Sequence, residues 1–286
     1  MIHVAARVAL GPLLYRQATR LRRSVVRLPE PPGPRQGLEG AGPRRLRMLI
    51  AGDSSAAGVG APTQEEAFAR PLARAVAARI AGAVSWQLVA RAGLTSAALL
   101  EYLRSTPVEP ADLAVVVIGV NDITHEVPQP LALRQRLHIV HWLQAHRGVQ
   151  HVVFPALPDM GRFPALPQPL SWYAGLHARR ANRAQARWAA RHAHVSHVAM
   201  DGVTDARLFS EDGFHPAPAL YARVVHRLAE HISAHMSAQM SEHMSEHLAA
   251  LAPDGAAQAE TPGRRVRAVR ATSEALRSAP VRPTAT

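Results

Sequence analysis

From Arg47 onward, short apolar runs alternate with longer stretches in which apolar residues recur every three or four positions. The first pattern suits buried strands and the second suits amphipathic helices. Residues 47–53 (RMLIAGD) form a short apolar run that ends in a Gly-Asp turn, which predicts a buried parallel strand. Residues 65–82 follow with helical spacing, and Glu65 and Glu66 are expected in the first turn, where the helix dipole favours acids. Residues 86–91 (WQLVAR) read as a second strand, and 95–103 as a short helix capped by Thr95 or Ser96. Residues 113–119 (LAVVVIG) are the most apolar run and are therefore expected at the sheet centre. A helix at 131–147, a strand at 151–157, a helix at 171–193, a strand at 195–200 and a last helix from Pro218 complete the series. Five strands separated by helices predict an α/β fold: a three-layer α/β/α sandwich around a five-stranded parallel sheet.

The pattern breaks down at both ends. Residues 1–45 are expected to be a basic arm followed by a Pro/Gly-rich linker (LPEPPGPRQGLEGAGPRR). Arg7 and Pro12 interrupt the apolar part of the arm, which is too short to span a bilayer and lacks the unbroken core and cleavage site of a secretory signal. Two readings stay open for residues 1–30: an amphipathic helix lying on an anionic membrane, or an arm packed on the body. The folded domain is expected over 46–232. Residues 233–250 form a low-complexity extension of the last helix, with the near-repeat SAHMSAQMSEHMSEHL. Each four-residue step turns an α-helix about 40° past a full circle, so the Met stripe cannot stay on one face. His231 with His235, or His243 with His247, could chelate a metal from positions four apart. Two histidines without a third ligand make a poor site, so no metal and no cofactor is expected. Residues 251–286 are expected to be a disordered tail.

Charge adds a question of location. All 33 basic residues are arginine, the formal charge is +12, and there is no cysteine, which excludes disulfides, thiolate metal sites and a cysteine nucleophile. Residues 1–47 carry +8 and residues 249–286 carry +3, whereas residues 48–248 carry only +1. A nucleic-acid enzyme needs a basic face on its folded domain, so no nucleic-acid partner is expected. The placement expected is cytoplasmic, or peripheral at the inner face of the membrane.

Ligands of open parallel sheets bind beyond the carboxyl ends of the strands. Four turns fall there: GDSSAAG with Ser54, ARAG with Gly93, GVND with Asn121, and DGFHP with Asp212 and His215. A serine hydroxyl is a weak nucleophile and needs a base within reach. His215 is the candidate base, and Asp212, three residues earlier, is placed to fix its tautomer. The N–H groups of Ser54 and Gly93 and the Asn121 carboxamide are the candidate donors for the oxyanion of an acyl-transfer intermediate. Each turn alone has a plain structural explanation, as a helix cap or a tight turn.

Taken together and in this order, the four turns resemble those of the SGNH (GDSL-type) hydrolase family over residues 46 to about 232. The resemblance implies a flavodoxin-like strand order 2-1-3-4-5 and metal-independent hydrolysis of carboxylic esters by an acyl-enzyme on Ser54. Gly58 fits the spacing of the family's first motif. The family's second motif often begins with Asn, where this chain has Arg91. The substrate expected is a small or lipid-like ester. The Pro-rich segment after the fourth strand supplies Phe163, Trp172 and Tyr173 as candidate walls of an acyl site, with Asp53 as a further candidate contact. The same aromatics could simply pack on the core. Asp159, Arg162, Arg179 and Arg180 could meet a charged head group, although surface arginines on a helix need no ligand. The reading from a different class is a protein of the same fold that binds a ligand or partner without turnover.

Overall fold

A computed structural model describes residues 2–24, 26–200 and 205–251. Helix α1 (Ile2–Ser24) and a short strand β1 (Gln36–Glu39) come first. Strands β2 (Arg44–Gly52), β3 (Ala83–Ala90), β4 (Leu113–Val117), β5 (His151–Pro155) and β6 (Val195–Val198) form the body of the sheet. They are connected through helices α2 (Ser54–Ala57), α3 (Ala69–Ile80), α4 (Ser96–Ser105), α5 (Val120–Thr124), α6 (Gln129–Arg147) and α7 (Leu170–Ala189). Helix α8 (Pro218–Leu251) follows β6. The sheet order is β1-β3-β2-β4-β5-β6. Strands β2 to β6 pair in parallel, in the expected 2-1-3-4-5 order.

Alternation along β2 shows why its sequence is apolar on both sides. Leu46, Met48 and Ile50 face one layer, where Leu72 and Val76 of α3 meet Leu228 and Ile232 of α8. Leu49 and Ala51 face the other layer, with Leu99 and Leu103 of α4 and Ile139 and Leu143 of α6. A strand buried on both faces can carry no polar alternation. Within α8, the buried positions Leu220, Tyr221, Val225, Leu228, Ala229 and Ile232 keep helical spacing. Ile232 is fully buried, and Met236, one repeat step and about 40° further round the helix, is only partly buried against that core.

Two expectations need correction. The sheet has a sixth strand: β1 lies antiparallel on β3, inside the stretch read as a linker. Its exposed QGLE sequence gives no strand signal, but it closes the free edge of β3, and its Gly37 backs onto the Trp86 ring. Helix α3 begins only at Ala69 and has no acid in its first turn; Glu65 and Glu66 stand outside it. Glu65 pairs instead with Arg70 and Arg74. His231 and His235 do not form a metal cluster: among the described residues, no group of three or more potential ligands could hold an ion. Instead, the His235 ring lies 4.0 Å from that of His151 at the start of β5. The side chains of His243 and His247, and the tail at 252–286, lie outside the described residues.

Candidate active site

The serine turn is shaped by the close approach of two central strands. β2 ends at Gly52, where a Cβ would come within 2.0 Å of the Val117 carbonyl of β4, so only glycine fits. The next N–H, of Asp53, donates to that same carbonyl at 3.0 Å. The Asp53 side chain then caps α2 by accepting from the Ser55 N–H at 3.0 Å. This leaves Ser54 as the first residue of α2, just past the carboxyl edge of the sheet. Asp53 itself is buried, and burial pushes its carboxyl up to about 7. The Ser55 N–H opposes that rise and the nearby Asp122 adds to it.

The loop before α8 brings a base to this serine. His215 Nε2 lies 3.0 Å from Ser54 Oγ, and His215 Nδ1 lies 2.5 Å from Asp212 Oδ2. The other oxygen of Asp212 accepts from the N–H groups of Phe214 and His215, both at 2.9 Å, and lies 2.9 Å from Ser210 Oγ. Burial alone would raise this carboxyl. The His215 ring, those two N–H groups and Ser210 outweigh burial and hold it below the usual carboxylate range. Asp212 therefore stays ionised behind the imidazole. Gly60 lets the loop close: a Cβ there would meet the Pro216 carbonyl at 2.3 Å.

The Gly93 turn and Asn121 complete this edge. Gly93 takes φ +84°, and a Cβ on it would meet nothing within 4 Å, so the turn faces open space. The Asn121 carboxamide donates to the Leu94 carbonyl at 3.0 Å and, more weakly, to Asp53 Oδ2 at 3.4 Å. It thus links the ends of β2, β3 and β4. Arg91, which stands where the family often has Asn, turns away and lies over the Tyr102 ring at 4.7 Å.

Two supporting groups were not foreseen from the sequence. The first is Glu30, in the supposed linker. Its carboxylate accepts from the Ala92 N–H at 2.8 Å and pairs with Arg35 at 2.9 Å, and Arg35 also reaches the Ala90 carbonyl. Together they clamp the turn that carries Gly93. The second is a buried network beneath Asn121. Asp122 accepts from the Ser96 N–H at 2.8 Å and the Ser96 hydroxyl at 2.6 Å, and it pairs with Arg136 at 3.1 Å. Arg136 also contacts Gln185 of α7, whose amide reaches His197 and the Pro155 carbonyl. Arg136 sits among Ala132, Ile139 and Leu143 on the buried face of α6. A charge on an apolar stripe is the signal that could have marked it.

The candidate substrate contacts fare differently. Asp53 lies beneath the serine as a cap and is closed to solvent. Phe163 is also buried, 4.9 Å from Phe209 and 5.1 Å edge-on from Phe214, so it supports the His215 loop from behind. Trp172 is exposed on α7, and Tyr173 stacks near His177 at 4.4 Å. Asp159 pairs with Arg179 at 3.2 Å and with Arg162 at 3.7 Å, so one carboxylate is shared by two guanidinium groups and a net positive charge remains there.

A parallel sheet with polar side chains gathered at its carboxyl edge places the chain among the α/β proteins that carry their chemistry there. The model of the GDSL-like lipase/acylhydrolase family matches residues 50–223. A GDSL-like esterase of Mycobacterium tuberculosis is 30% identical over 232 residues, which cover 73% of this chain and 72% of that one. In fold, the chain is similar to a lipase from a goat rumen metagenome (TM-score 0.51, 18% identity, 64% of this chain and 96% of that chain). It is similarly close to a carbohydrate esterase family 2 enzyme of Corynascus thermopiles (TM-score 0.50, 15% identity, 68% and 67%). The chain belongs to the GDSL-like lipase/acylhydrolase family and is an ester hydrolase.

Proposed function

We propose that the protein cleaves carboxylic esters through an acyl-enzyme on Ser54. His215 Nε2 takes the hydroxyl proton as Ser54 Oγ attacks the ester carbonyl. Asp212 keeps Nδ1 protonated and stabilises the imidazolium. The oxyanion accepts from the Ser54 and Gly93 N–H groups and from the Asn121 N–H that otherwise makes the long contact to Asp53. His215 then protonates the departing alcohol. Water, deprotonated by the same imidazole, attacks the acyl group, releases the acid and returns the proton to Ser54 Oγ.

The single observation that supports this most is the unbroken row Ser54–His215–Asp212, with contacts of 3.0 and 2.5 Å. A row of this kind activates a serine without a metal. The substrate class that fits is a small or lipid-like acyl ester. Wild-type protein should label with a fluorophosphonate and release p-nitrophenol from short-chain esters, and Ser54→Ala should do neither. A folded wild type that is inert in both assays would refute the reading. Comparing acetate with long-chain esters would then set the acyl preference.

A further inference from the structure

Helix α1 has two faces with different fates. Leu14 is buried, and Leu21 packs on the cluster that contains Phe163 and Phe214. Gln17 donates to the Gln168 carbonyl at 2.7 Å and accepts from the Leu170 N–H at 3.2 Å. At about 100° per residue these three positions fall within roughly 60° of one another. The helix is therefore docked on the body at the start of α7. Arg16, Thr19 and Arg23 fall on the opposite side, flanked by Arg20 and Tyr15.

That outer face has an unusual composition. Arg16, Arg20 and Arg23 are exposed, and none of them is in an ion pair among the described residues. No acidic residue precedes Glu30, so nothing on the helix itself offsets them. Beside them, Tyr15 is 76% exposed and Leu13 44% exposed, and a shallow groove of about 440 Å³ runs along Tyr15, Arg16, Thr19, Arg20 and Arg23. Charge alone would suit any polyanion. Large apolar side chains held out in water on either side of the arginines suit a surface that offers both anionic groups and hydrocarbon. The helix cannot cross such a layer, because no described helix is long and apolar enough to do so.

We propose that the outer face of α1 (Leu13, Tyr15, Arg16, Arg20 and Arg23) docks on the surface of an anionic phospholipid bilayer. The arginines meet the head groups, and Tyr15 and Leu13 enter the interface between head groups and acyl chains. Leu21 shares its apolar cluster with Phe214, the neighbour of His215 in sequence.

The test uses the full chain in co-sedimentation with vesicles of phosphatidylcholine alone and of phosphatidylcholine mixed with phosphatidylglycerol. Turnover of soluble p-nitrophenyl acetate serves as the control for folding. Wild type should bind the anionic vesicles, and binding should fall steeply at about 0.5 M salt. The Arg16→Gln/Arg20→Gln/Arg23→Gln variant should lose affinity on the order of a hundredfold, with acetate turnover unchanged. Leu13→Ser/Tyr15→Ser should weaken vesicle binding several-fold and leave binding to a single-stranded RNA homopolymer unaltered. Equal binding to neutral and anionic vesicles, or full binding by the triple variant, would overturn the proposal. RNA binding tighter than vesicle binding would also overturn it and would identify the face as a nucleic-acid surface.

Discussion

Asp212 carries two tasks with its two oxygens. One holds the imidazole, and the other gathers two backbone N–H groups and lies against Ser210, so the loop that orients the base also keeps the carboxylate charged. Asp212→Asn keeps the size but presents an amide to Nδ1 and favours the wrong tautomer. A loss of about 10³–10⁴ in kcat with little change in KM is expected, measured on a short-chain ester. If kcat stays within a few-fold of wild type, Asp212 does not orient the base. The placement of Ser54 and Asn121 at the sheet edge was legible because each directly follows an apolar run, and that of Asp212 and His215 because their turn completes the ordered set of motifs. Glu30 and Arg136 were not. Glu30 acts on Ala92 across 62 positions of chain, and such a contact leaves no local pattern. Phe163 stayed open between wall and core, because an aromatic in a Pro-rich loop has the same sequence signature on a wall as behind one; the fold buries it.

At the scale of elements, the Asp122–Arg136 pair joins α5 to α6, and Ser96 brings α4 into the same network. Removing one partner of a buried pair leaves the other charge without compensation, at about 3–5 kcal/mol. Arg136→Met should therefore lower stability by that order in denaturant titrations. It should also lower kcat more than it raises KM, because Asn121 stands next to Asp122. A variant that is destabilised but fully active at low temperature would show the pair to be structural only. A second junction, between β5 and α8, responds to pH. Burial, then His235, His231 and His194, push His151 down to about 4. The unfolded chain takes up this proton near 6.5, so the junction contributes its full stability above that pH and loses it progressively as pH falls towards 4. Ser196, which lies 2.7 Å from His151 Nε2, is the neutral partner there. His151→Gln should flatten the fall in melting temperature between pH 6.5 and pH 4. An unchanged slope would place the acid sensitivity elsewhere.

For the molecule as a whole, the alternation of apolar runs revealed the parallel order of the sheet, while its antiparallel edge stayed hidden. An edge strand is half solvated and needs no apolar signature, so β1 looked like a linker. This shifts the boundary of the catalytic body: Glu30, Arg35 and β1 belong to it, whereas α1 is an attachment on its flank. Deleting residues 1–25 should leave acetate turnover within a few-fold of wild type. Deleting 1–40 should lower it by roughly 10² or more, because the Gly93 turn loses its clamp and an oxyanion donor is displaced. Equal activity of the two truncations would remove Glu30 from the account. With the boundary there, residues 1–25 carry +5 and residues 26–248 carry +4, so the excess positive charge is shared between attachment and body. The chemistry proposed above belongs to the sheet edge. The most direct test of that chemistry is rapid acid quench during turnover of a p-nitrophenyl ester, followed by peptide mass mapping, since Ser54 and Ser55 are adjacent and only one lies against His215. One acyl group per chain on Ser54, matched by a burst of p-nitrophenol, is the predicted result. An acyl group on Ser55 or any other residue, or turnover with no covalent adduct in the quenched enzyme, would contradict it.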